Sequence, residues 1–598
     1  MVHEGFVLAS GALNFFERLP LLRMGDSCLL SAVTFEVFMY KLTLWAAALA
    51  AVSPAALLVS AQSAQAQVPV GAGGQLQQIP PVPLNETPAP DFGFERRTPV
   101  VVAATGGPKT LVRSLRVTGA TLFPEADLIA ATGFVPNSDL DLSEMKTLAA
   151  RITDYYTSRG YFVANAYLPE QDVQSGAVTI AVIEGRFGAV GVKNESRLSD
   201  SVSNGILAGL DVGDPVAVAP LERRLLMLSD LPGVRVRSTL SPGTAVGTSD
   251  LLVDITPGQS ITGSVEADNA GNRYTGAYRV GGSVNWNNPT GSGDVLSLRA
   301  LTSFSGLAYG RASYQAPIGQ VTLGVAFAHL EYSLGKEFDS LDGSGNADVA
   351  SVYASYPLIR SRDNNLYMTL GGDVKWFEDR IGIVDTTSYR RAQVITAGLS
   401  GDQHDTLLGG GWSAYSLSYS VGNLDIRGAY ERSVDARTAR TDGSYGKLQF
   451  SFARLQTIAG PLSFFASARG QIAFSNLDIS ERMELGGAYA VRAYPEGEAY
   501  GDQGYVATAE ARLALPQVVP GALQLFGFVD VGEVDFVKHP YFTGSNHAKR
   551  SAYGAGLSWA GPYGIAARAT YARKLGDEDA TSAPDKSGRA WFQLSKTF

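Results

Sequence analysis

The chain contains little cysteine and little charge. Among its 598 residues there is one cysteine, Cys28, and charged residues make up 18%, below the roughly 25% of an average soluble domain. One cysteine cannot build a disulfide framework or a thiolate metal site. The formal net charge of −9 provides no basic excess for binding nucleic acid. We therefore expect no nucleic-acid partner, no metal and no other cofactor.

Motifs of the common enzyme classes are also absent. The chain has no G-x-S-x-G, no P-loop and no H-E-x-x-H sequence, and its five histidines are scattered. Asp339, Asp342 and Asp348 lack the spacing of a calcium loop. The triplet Gly409-Gly410-Gly411 is more typical of a turn than of a phosphate-binding loop, because no helix is expected after it. We predict that the protein is not an enzyme.

A targeting segment is predicted near the N-terminus. Residues 42–59 form an Ala/Leu/Val-rich run that comes after Lys41 and is followed by small residues ending in Ala64-Gln65-Ala66. A charged start, an apolar middle and an A-x-A site are typical of a secretory signal peptide. We therefore predict a signal peptide over residues 39–66. The alternative is a membrane anchor, because the run is close to the ~17-residue lower limit of a membrane span.

Residues 1–38 are unusual ahead of such a signal. Met39 is a better start position, so we expect residues 1–38 to be a mis-assigned upstream segment. Cys28 would then be absent from the mature protein, which would not depend on disulfides in its oxidising compartment.

The next zone, residues 67–110, is rich in proline, glycine and glutamine. This composition predicts an exposed linker with polyproline II character. Residues 67–95 show little helical periodicity. No later segment has 18 consecutive apolar residues. A membrane-spanning part of the mature protein must therefore be a closed β-barrel, in which every backbone group is hydrogen-bonded.

Residues 111–258 carry helix and strand patterns in two halves, 111–186 and 187–258. Each half contains a strand, helical periodicity and two closing strands. The first half has strands at 112–118, 161–168 and 177–183, and an apolar helix face formed by Met145, Leu148, Ala149, Ile152 and Tyr155. The second half has a strand at 187–192, helices at 199–208 and 221–231, and strands at 234–240 and 251–255.

The spacing of glycines supports a repeat. Gly160 and Gly185 are 25 residues apart, and so are Gly233 and Gly258. Equal spacing together with the same order of elements predicts two β-α-α-β-β domains. The alternative is a single α/β domain in which the spacing is coincidental.

Residues 259–598 contain short alternating segments separated by Gly, Asn, Asp and Pro. In one of them, Leu523, Leu525, Val529 and Val531 share one parity. A period of two with one apolar and one polar parity is typical of strands between lipid and an aqueous lumen. At roughly 21 residues per strand and connection, the zone fits a barrel of about sixteen antiparallel strands. A large soluble β-sandwich, propeller or β-helix is the alternative.

The order of these parts resembles the two-partner-secretion transporters, the haemolysin-activator and filamentous-adhesin exporter (ShlB/FhaC/HecB-like) family of the outer-membrane insertase superfamily. The β-α-α-β-β units look like the POTRA domains of that family, and Ile183-Glu184-Gly185-Arg186-Phe187 is similar to the junction between them. The resemblance covers the chain after Met39. It implies a transmembrane β-barrel preceded by two periplasmic α/β domains.

Two motifs carry the resemblance most specifically. Val491-Arg492-Ala493-Tyr494 is similar to the Val-Arg-Gly-Tyr tip of an extracellular loop that folds back into the barrel. Phe528-Val529-Asp530-Val531-Gly532 matches the Phe-x-Asp-x-Gly strand motif of the family. Ala493 departs from the usual glycine, and a turn that needs positive φ at this position would be strained by alanine.

The resemblance implies that Arg492 and Asp530 are partners. Alternation independently puts Asp530, Phe528 and Gln524 on the lumenal side of their strand, while Arg492 lies in an irregular, glycine-rich segment. We hypothesise that this ion pair latches the loop inside the pore and fixes a transport-competent wall. The alternative is one of many structural ion pairs in the lumen. Phe598 ends an alternating strand and resembles the C-terminal signal that the outer-membrane assembly machinery reads.

The function implied by the resemblance is export of a partner polypeptide across the outer membrane. The periplasmic units would capture the unfolded client by β-augmentation at exposed sheet edges, or serve only as rigid spacers. The expected partners are a large, repeat-rich adhesin-like or haemolysin-like protein, outer-membrane lipid and the assembly machinery. In this family a helix at the start of the linker plugs the barrel. Residues 67–95 have little helical periodicity, but the resemblance keeps a plug region within the linker 67–110 open. The rival functions are a barrel insertase, a passive porin and a surface-anchored enzyme.

Overall fold

The computed structural model describes residues 71–82, 92–93 and 107–598. The predicted signal peptide, the upstream segment 1–38 and the rest of the linker lie outside the described residues. The first described elements are a short helix, α1 (Ala72–Gln77), and a two-residue strand, β1 (Phe92–Gly93). None of the helices in the described ranges is long and apolar enough to cross a membrane.

The first α/β module is built on a three-stranded sheet of order β3-β6-β5, with β2 and β4 paired beside it. Its elements are β2 (Thr110–Val112), β3 (Ser114–Thr118), α2 (Glu125–Thr132), β4 (Ser138–Leu140), α3 (Leu142–Ser158), β5 (Asn165–Tyr167) and β6 (Ala177–Ile183). Helix α3 begins at a capping box, in which Asp141 and Glu144 each accept a hydrogen bond from the other's backbone amide (2.8 and 2.7 Å). The predicted apolar face of α3 is confirmed, except that Tyr156 is fully buried and Tyr155 only in part.

The second module repeats the β-α-α-β-β order, as predicted. Its elements are β7 (Arg186–Asn194), α4 (Asp200–Leu207), α5 (Val218–Ser229), β8 (Val234–Pro242) and β9 (Thr248–Pro257). The sheet order is β1-β8-β9-β7, so β1 of the linker extends this sheet in parallel with β8.

In the first module the sequence did not predict α2. Only Leu128 and Thr132 of that helix are buried, and so small a buried face leaves no amphipathic pattern.

Sixteen antiparallel strands close into a barrel, which confirms the predicted fold class. Pairing of the first strand, β10, with the last, β27, closes it. The barrel strands are β10 (Ile261–Asp268), β11 (Arg279–Asn287), β12 (Val295–Thr302), β13 (Leu307–Ile318), β14 (Val321–Ser333), β15 (Gly343–Arg360), β16 (Asn364–Ile381), β17 (Thr386–Asp405), β18 (Gly411–Ile426), β19 (Gly443–Ala459), β20 (Leu462–Ala473), β23 (Gln503–Ala514), β24 (Ala522–Asp535), β25 (His547–Ala560), β26 (Ile565–Lys574) and β27 (Gly588–Thr597). Helix α6 (Ala429–Asp435) connects β18 to β19, and β21 (Met483–Glu484) pairs with β22 (Tyr500–Gly501) between β20 and β23.

The alternation of side chains explains why these segments form a membrane barrel. In β11, Val284 and Trp286 are exposed on the outer face. Ser283, which precedes Val284 and has the opposite parity, is buried. In β24, Val529 is exposed and Asp530 is completely buried. Apolar residues therefore cover the face that meets lipid, and polar residues line the interior.

The barrel has short turns at one end and longer connections at the other. The longest connection, residues 474–502, joins β20 to β23, and we call it the inward loop. The second module contacts the short-turn end: the Ser199 amide donates a hydrogen bond to the Gly291 carbonyl (2.7 Å). At the same end, the Arg360 guanidinium binds both carboxylate oxygens of Asp230 (2.8 and 2.7 Å). The second module and the inward loop therefore belong to opposite ends of the barrel.

Candidate functional site in the barrel lumen

The inward loop leaves the wall after β20 and returns to it as β23. It contains a 3-10 turn at Ile479–Glu481 and the paired strands β21 and β22, beyond which residues 486–498 form its tip. The tip folds back on itself, because the Gly487 amide donates a hydrogen bond to the Tyr494 carbonyl (3.2 Å). Ala493 is fully buried and does not adopt a positive φ. The strain considered for alanine at this position therefore does not arise.

Arg492 at the tip forms a bidentate ion pair with Asp530 on β24. Its Nε donates to Asp530 Oδ2 (2.8 Å) and its Nη2 donates to Oδ1 (2.7 Å). Its Nη1 donates to Glu510 Oε1 on β23 (2.8 Å), and its guanidinium carbon lies 3.4 Å from the ring centroid of Phe528. A planar guanidinium held by two carboxylates and an aromatic face accepts only one geometry. We call Arg492, Asp530 and Glu510 the tip latch.

The other residues of the two motifs shape the surroundings of the tip latch. Val491 and Tyr494 are fully buried, and the Tyr494 hydroxyl donates to the Glu578 carbonyl in the connection between β26 and β27 (3.0 Å). Gly532 on β24 faces the inward loop, since a Cβ atom there would lie 2.5 Å from Leu485 Cδ1. A side chain at this position would have to displace the Leu485 side chain, because the loop approaches the strand closely.

Phe598 lies apart from the tip latch, at the closure of the barrel. Its amide donates to the Gly263 carbonyl (3.0 Å), and its carbonyl accepts a hydrogen bond from the Gly263 amide (2.9 Å). The Phe598 side chain is half-exposed and shares the outward parity of Phe592 and Leu594. This position suits an aromatic residue at the membrane interface.

Glu510 is a site residue that the sequence reasoning missed. Arg492, Arg512 and Arg568 all donate to its carboxylate, at 2.8, 2.7 and 3.2 Å. The signal was present in the alternation of β23, where the odd-numbered positions from 505 to 513 are apolar or small. Position 510 therefore faces the lumen by the same argument that applies to Asp530.

Glu498 is a second residue that was missed, and it fastens the far side of the tip. Its carboxylate is fully buried and accepts hydrogen bonds from Arg550 Nη2 on β25 (2.7 Å) and from the amides of Thr581 and Ser582 (both 2.9 Å). The two amides belong to the connection between β26 and β27. No motif or strand alternation marks Glu498, so its role depends on the fold of the loop.

Helix α1 lies in the lumen against the barrel wall and the inward loop. The Ala72 amide donates to Asp379 Oδ1 on β16 (2.7 Å), and the Gln78 side chain donates to the Tyr500 hydroxyl (2.7 Å). The Gln78 carbonyl accepts a hydrogen bond from Arg279 Nη1 on β11 (2.8 Å). The sequence left a plug helix open in this part of the linker and predicted an exposed segment. Residues 72–75 are instead buried within a helix. So short a helix is unstable alone, and it forms here through contacts that its own sequence does not reveal.

These contacts define what the site can do. A fastened loop and a short helix cross the channel, and both are held by hydrogen bonds and ion pairs that another polypeptide can replace. Among the residues that the structure describes, no group of three or more His, Cys, Asp or Glu side chains is arranged to hold a metal ion. The arrangement is suited to obstructing and reopening a passage.

Comparison with known proteins agrees with this architecture. Residues 247–561 match the family described as "Haemolysin secretion/activation protein ShlB/FhaC/HecB", and residues 110–185 match "POTRA domain, ShlB-type". The chain is 29% identical over 467 residues to the heme/hemopexin transporter protein HuxB of Haemophilus influenzae, across 77% of this chain and 82% of that protein. It is 24% identical over 514 residues to the outer membrane transporter CdiB of Dickeya dadantii, across 82% of this chain and 85% of that protein.

Solved structures show the same fold. CdiB from Escherichia coli superimposes with a TM-score of 0.67 at 22% identity, across 84% of this chain and 93% of that chain. CdiB from Acinetobacter baumannii gives a TM-score of 0.59 at 19% identity, across 85% of this chain and 95% of that chain. The family match covers more than half of the chain, and the barrel and modules match it in architecture. The chain belongs to the haemolysin secretion/activation (ShlB/FhaC/HecB) family and is an outer-membrane two-partner-secretion transporter with its α/β modules in the periplasm.

Proposed function

We propose that the chain captures one extended, unfolded partner polypeptide in the periplasm and passes it outward through the barrel, beside the inward loop. The obstructed lumen carries this proposal, because a loop and a helix occupy a channel that a passive porin leaves open. Both obstructions are held by non-covalent contacts, so a ligand that competes for them shifts the population toward an open state. The sequence contains no nucleotide-binding motif, and folding of the client outside the cell would drive its progress.

The proposed domain organisation assigns one step of transport to each part. The division is an upstream segment 1–38, a signal peptide 39–66, a linker 67–110, POTRA-like domains 111–186 and 187–258, and a barrel 259–598. In the first module, β3 and β5 are the outer strands of the sheet. Pairing of a client strand with such an edge uses main-chain hydrogen bonds and tolerates many client sequences. Client capture would therefore take place on the modules, before entry into the barrel.

Within this mechanism, the tip latch keeps the inward loop folded along one side of the lumen while the client passes along the other. Asp530 and Glu510 provide two anions on the wall, and Arg492 is their shared cation. Removing one partner of such a buried group leaves charges without compensation, at a cost of about 3–5 kcal/mol. The motif residues Val491, Ala493, Tyr494, Phe528 and Gly532 would serve by packing around this ion pair, and Phe598 would serve in assembly of the barrel.

The chemistry of the client is inferred from the relatives. HuxB is named as a heme/hemopexin transporter, and HpmB of Proteus mirabilis as a hemolysin transporter. We assign to this chain a large, repeat-rich, adhesin-like or haemolysin-like client and no enzymatic activity. A gene for such an exported protein beside the gene for this chain is the expected arrangement.

Deletion of the gene tests the proposed function. The expected result is loss of one large protein from the culture medium, measured by mass spectrometry, with unchanged amounts of other outer-membrane barrels. Re-expression of the full chain should restore the lost protein. A general decrease in outer-membrane barrels would instead indicate an insertase and would contradict the proposal.

The Arg492→Ala variant tests the tip latch in the same assay. We expect at least a roughly tenfold loss of export, because about 3–5 kcal/mol of anchoring is removed. Heat-modifiable migration on gels checks that the barrel is assembled. Arg299→Ala is the matched control, since Arg299 also forms a lumenal ion pair, with Glu266 (2.8 Å). Equal export by the two variants, at any level, would show that Arg492 has no special role.

A further inference from the structure

The inward loop has a further group of ionic contacts with the wall, at its base and with a polarity opposite to that of the tip latch. In the tip latch, the loop contributes the cation and the wall contributes the anions. At the base, the loop contributes Asp478 and Glu481, and the wall contributes Lys375, Arg390 and Lys447. We call these five residues the base anchor.

The contacts of the base anchor are close and mostly shielded from water. Glu481 accepts from Lys375 Nζ (2.6 Å) and from Lys447 Nζ (2.9 Å), and its side chain is 3% exposed. Lys447 Nζ also donates to the Glu481 carbonyl (2.9 Å). Asp478 accepts a hydrogen bond from Arg390 Nη1. Three strands of the wall, β16, β17 and β19, are thereby tied to one turn of the loop.

Helix α1 meets the wall at the same place. Asp379 accepts a hydrogen bond from the Ala72 amide of the helix (2.7 Å) and another from Arg390 Nη2 (2.5 Å). Because Arg390 also binds Asp478 of the loop, a continuous chain of hydrogen bonds runs from the backbone of the helix to the loop. The two obstructions of the channel share one pair of wall residues.

The helix also contacts the base turn of the loop directly. The Gln77 side chain donates to the Ile479 carbonyl (2.7 Å). A Cβ atom on Gly73 would lie 2.7 Å from Ser480 Cβ, so the glycine allows the helix to lie against the turn. Docking of the helix and folding of the turn therefore depend on the same few contacts.

We propose that Asp379 and Arg390 couple docking of helix α1 to closure of the base anchor, so that displacement of the helix also loosens the base of the inward loop. This inference rests on the proposed function, in which an entering client displaces the helix. The tip latch shares no residue with this chain of contacts and stays closed. The loop would then swing on its tip and widen the lumen at its base. Because coupling is reciprocal, weakening the base anchor also promotes release of the helix.

Lys447 provides the test, because its ionic contacts are with Glu481 and none of its hydrogen bonds is to the helix. The full chain carrying Lys447→Gln is reconstituted in planar bilayers, and the fraction of time in the open state is measured. We expect the fraction of time in the open state to increase at least about fivefold, which is the lower end of typical coupling between sites. Arg454→Gln is the matched control on the same strand, since Arg454 pairs with Asp405. Lys447→Arg keeps the charge and should stay closed.

The reciprocal test replaces residues 72–77 with alternating Gly and Ser in the full chain. Hydrogen exchange of residues 478–482 should accelerate at least about fivefold, while exchange of residues 486–498 stays within twofold of the parent. The proposal is overturned if exchange at the base does not change, or if Lys447→Gln opens the channel no more than Arg454→Gln. Neither measurement uses a client, so failure of the proposed function would appear separately, as normal secretion after gene deletion. A Lys447→Gln chain that does not assemble leaves the exchange experiment to decide.

Discussion

Replacing Glu184 with glutamine should loosen the junction between the two α/β modules. Glu184 is buried and accepts hydrogen bonds from the amides of Thr121 (2.6 Å) and Leu122 (2.7 Å) and from the Tyr156 hydroxyl (3.0 Å), all in the first module. It also accepts one from Arg186 Nη2, at the start of the second module (3.2 Å). One carboxylate therefore gathers donors from both sides of the junction.

The magnitude follows from the number of donors. A hydrogen bond to a charged group contributes about 1.5–3 kcal/mol. Glutamine keeps one accepting oxygen but turns an NH2 group toward donors, so at least one amide or hydroxyl loses its acceptor. We expect a loss of about 2–3 kcal/mol, which corresponds to roughly 30- to 150-fold faster exchange of the amides of Thr121 and Leu122.

The same carboxylate makes the junction sensitive to acid. Burial alone raises the pKa of the Glu184 carboxyl, but hydrogen bonds from the Thr121 side chain and the Leu122 amide outweigh burial and hold this pKa below its usual value. A carboxyl with a folded-state pKa below its unfolded value of ~4.3 stabilises the fold fully above about pH 5. The contribution is lost as the pH falls through the folded-state pKa. Glu184→Gln should remove this dependence.

Hydrogen exchange of the full chain in detergent measures both effects, at about pH 7 and at about pH 4, after correction for intrinsic rates. Glu195→Gln is the control, because Glu195 pairs with Lys193 (2.7 Å) and both side chains are more than half exposed. Such surface pairs contribute about 0–1 kcal/mol. If Glu184→Gln exchanged within threefold of the parent at residues 121–122, the carboxylate would not hold the junction and the reasoning would be refuted.

Two further predictions concern the ends of the barrel. Arg360→Ala removes the bidentate contact with Asp230 (2.8 and 2.7 Å), and we expect docking of the second module to weaken by about 1–3 kcal/mol. The distance distribution between spin labels on the module and on the barrel should become broader. An unchanged distribution would contradict this prediction. Gly73→Val places a side chain where Ser480 already lies, so helix α1 should leave the lumen and single-channel opening should increase. Gly107→Ala, with open space around its Cβ position, should behave like the parent, and equal opening by both variants would show that the close contact is unimportant.

The barrel could be predicted from the sequence because lipid outside and water inside impose opposite demands on neighbouring side chains. Elements without such a periodic pattern of side chains were harder to predict. Strands β2 and β4 have three residues each, too few to show a period. The strand predicted at 161–168 is reduced to β5, because the Ala164 amide donates to the Tyr161 carbonyl (3.2 Å) and bends the chain before the strand begins.

The lumenal site was predicted only where a strand or a motif pointed to it. Asp530 could be oriented by alternation, and Arg492 came from the resemblance of its motif. Glu510 was within reach of the same alternation. The remaining parts of the site, which are Asp478, Glu481 and helix α1, lie in segments without a regular sequence pattern. There the contacts of a side chain depend on the path of the whole loop. Three-dimensional structure is needed for these residues because no local pattern fixes that path.

The charges of the tip latch and of the base anchor favour one orientation of the inward loop in the lumen. Its tip carries Arg492 toward Asp530 and Glu510, and its base carries Glu481 toward Lys375 and Lys447. A loop inserted with tip and base exchanged would bring Arg492 to the lysines and Glu481 to the carboxylates. Such contacts between like charges in a shielded site cost several kcal/mol. Discrimination between the two orientations of the loop therefore comes as much from repulsion in the exchanged orientation as from attraction in the observed one.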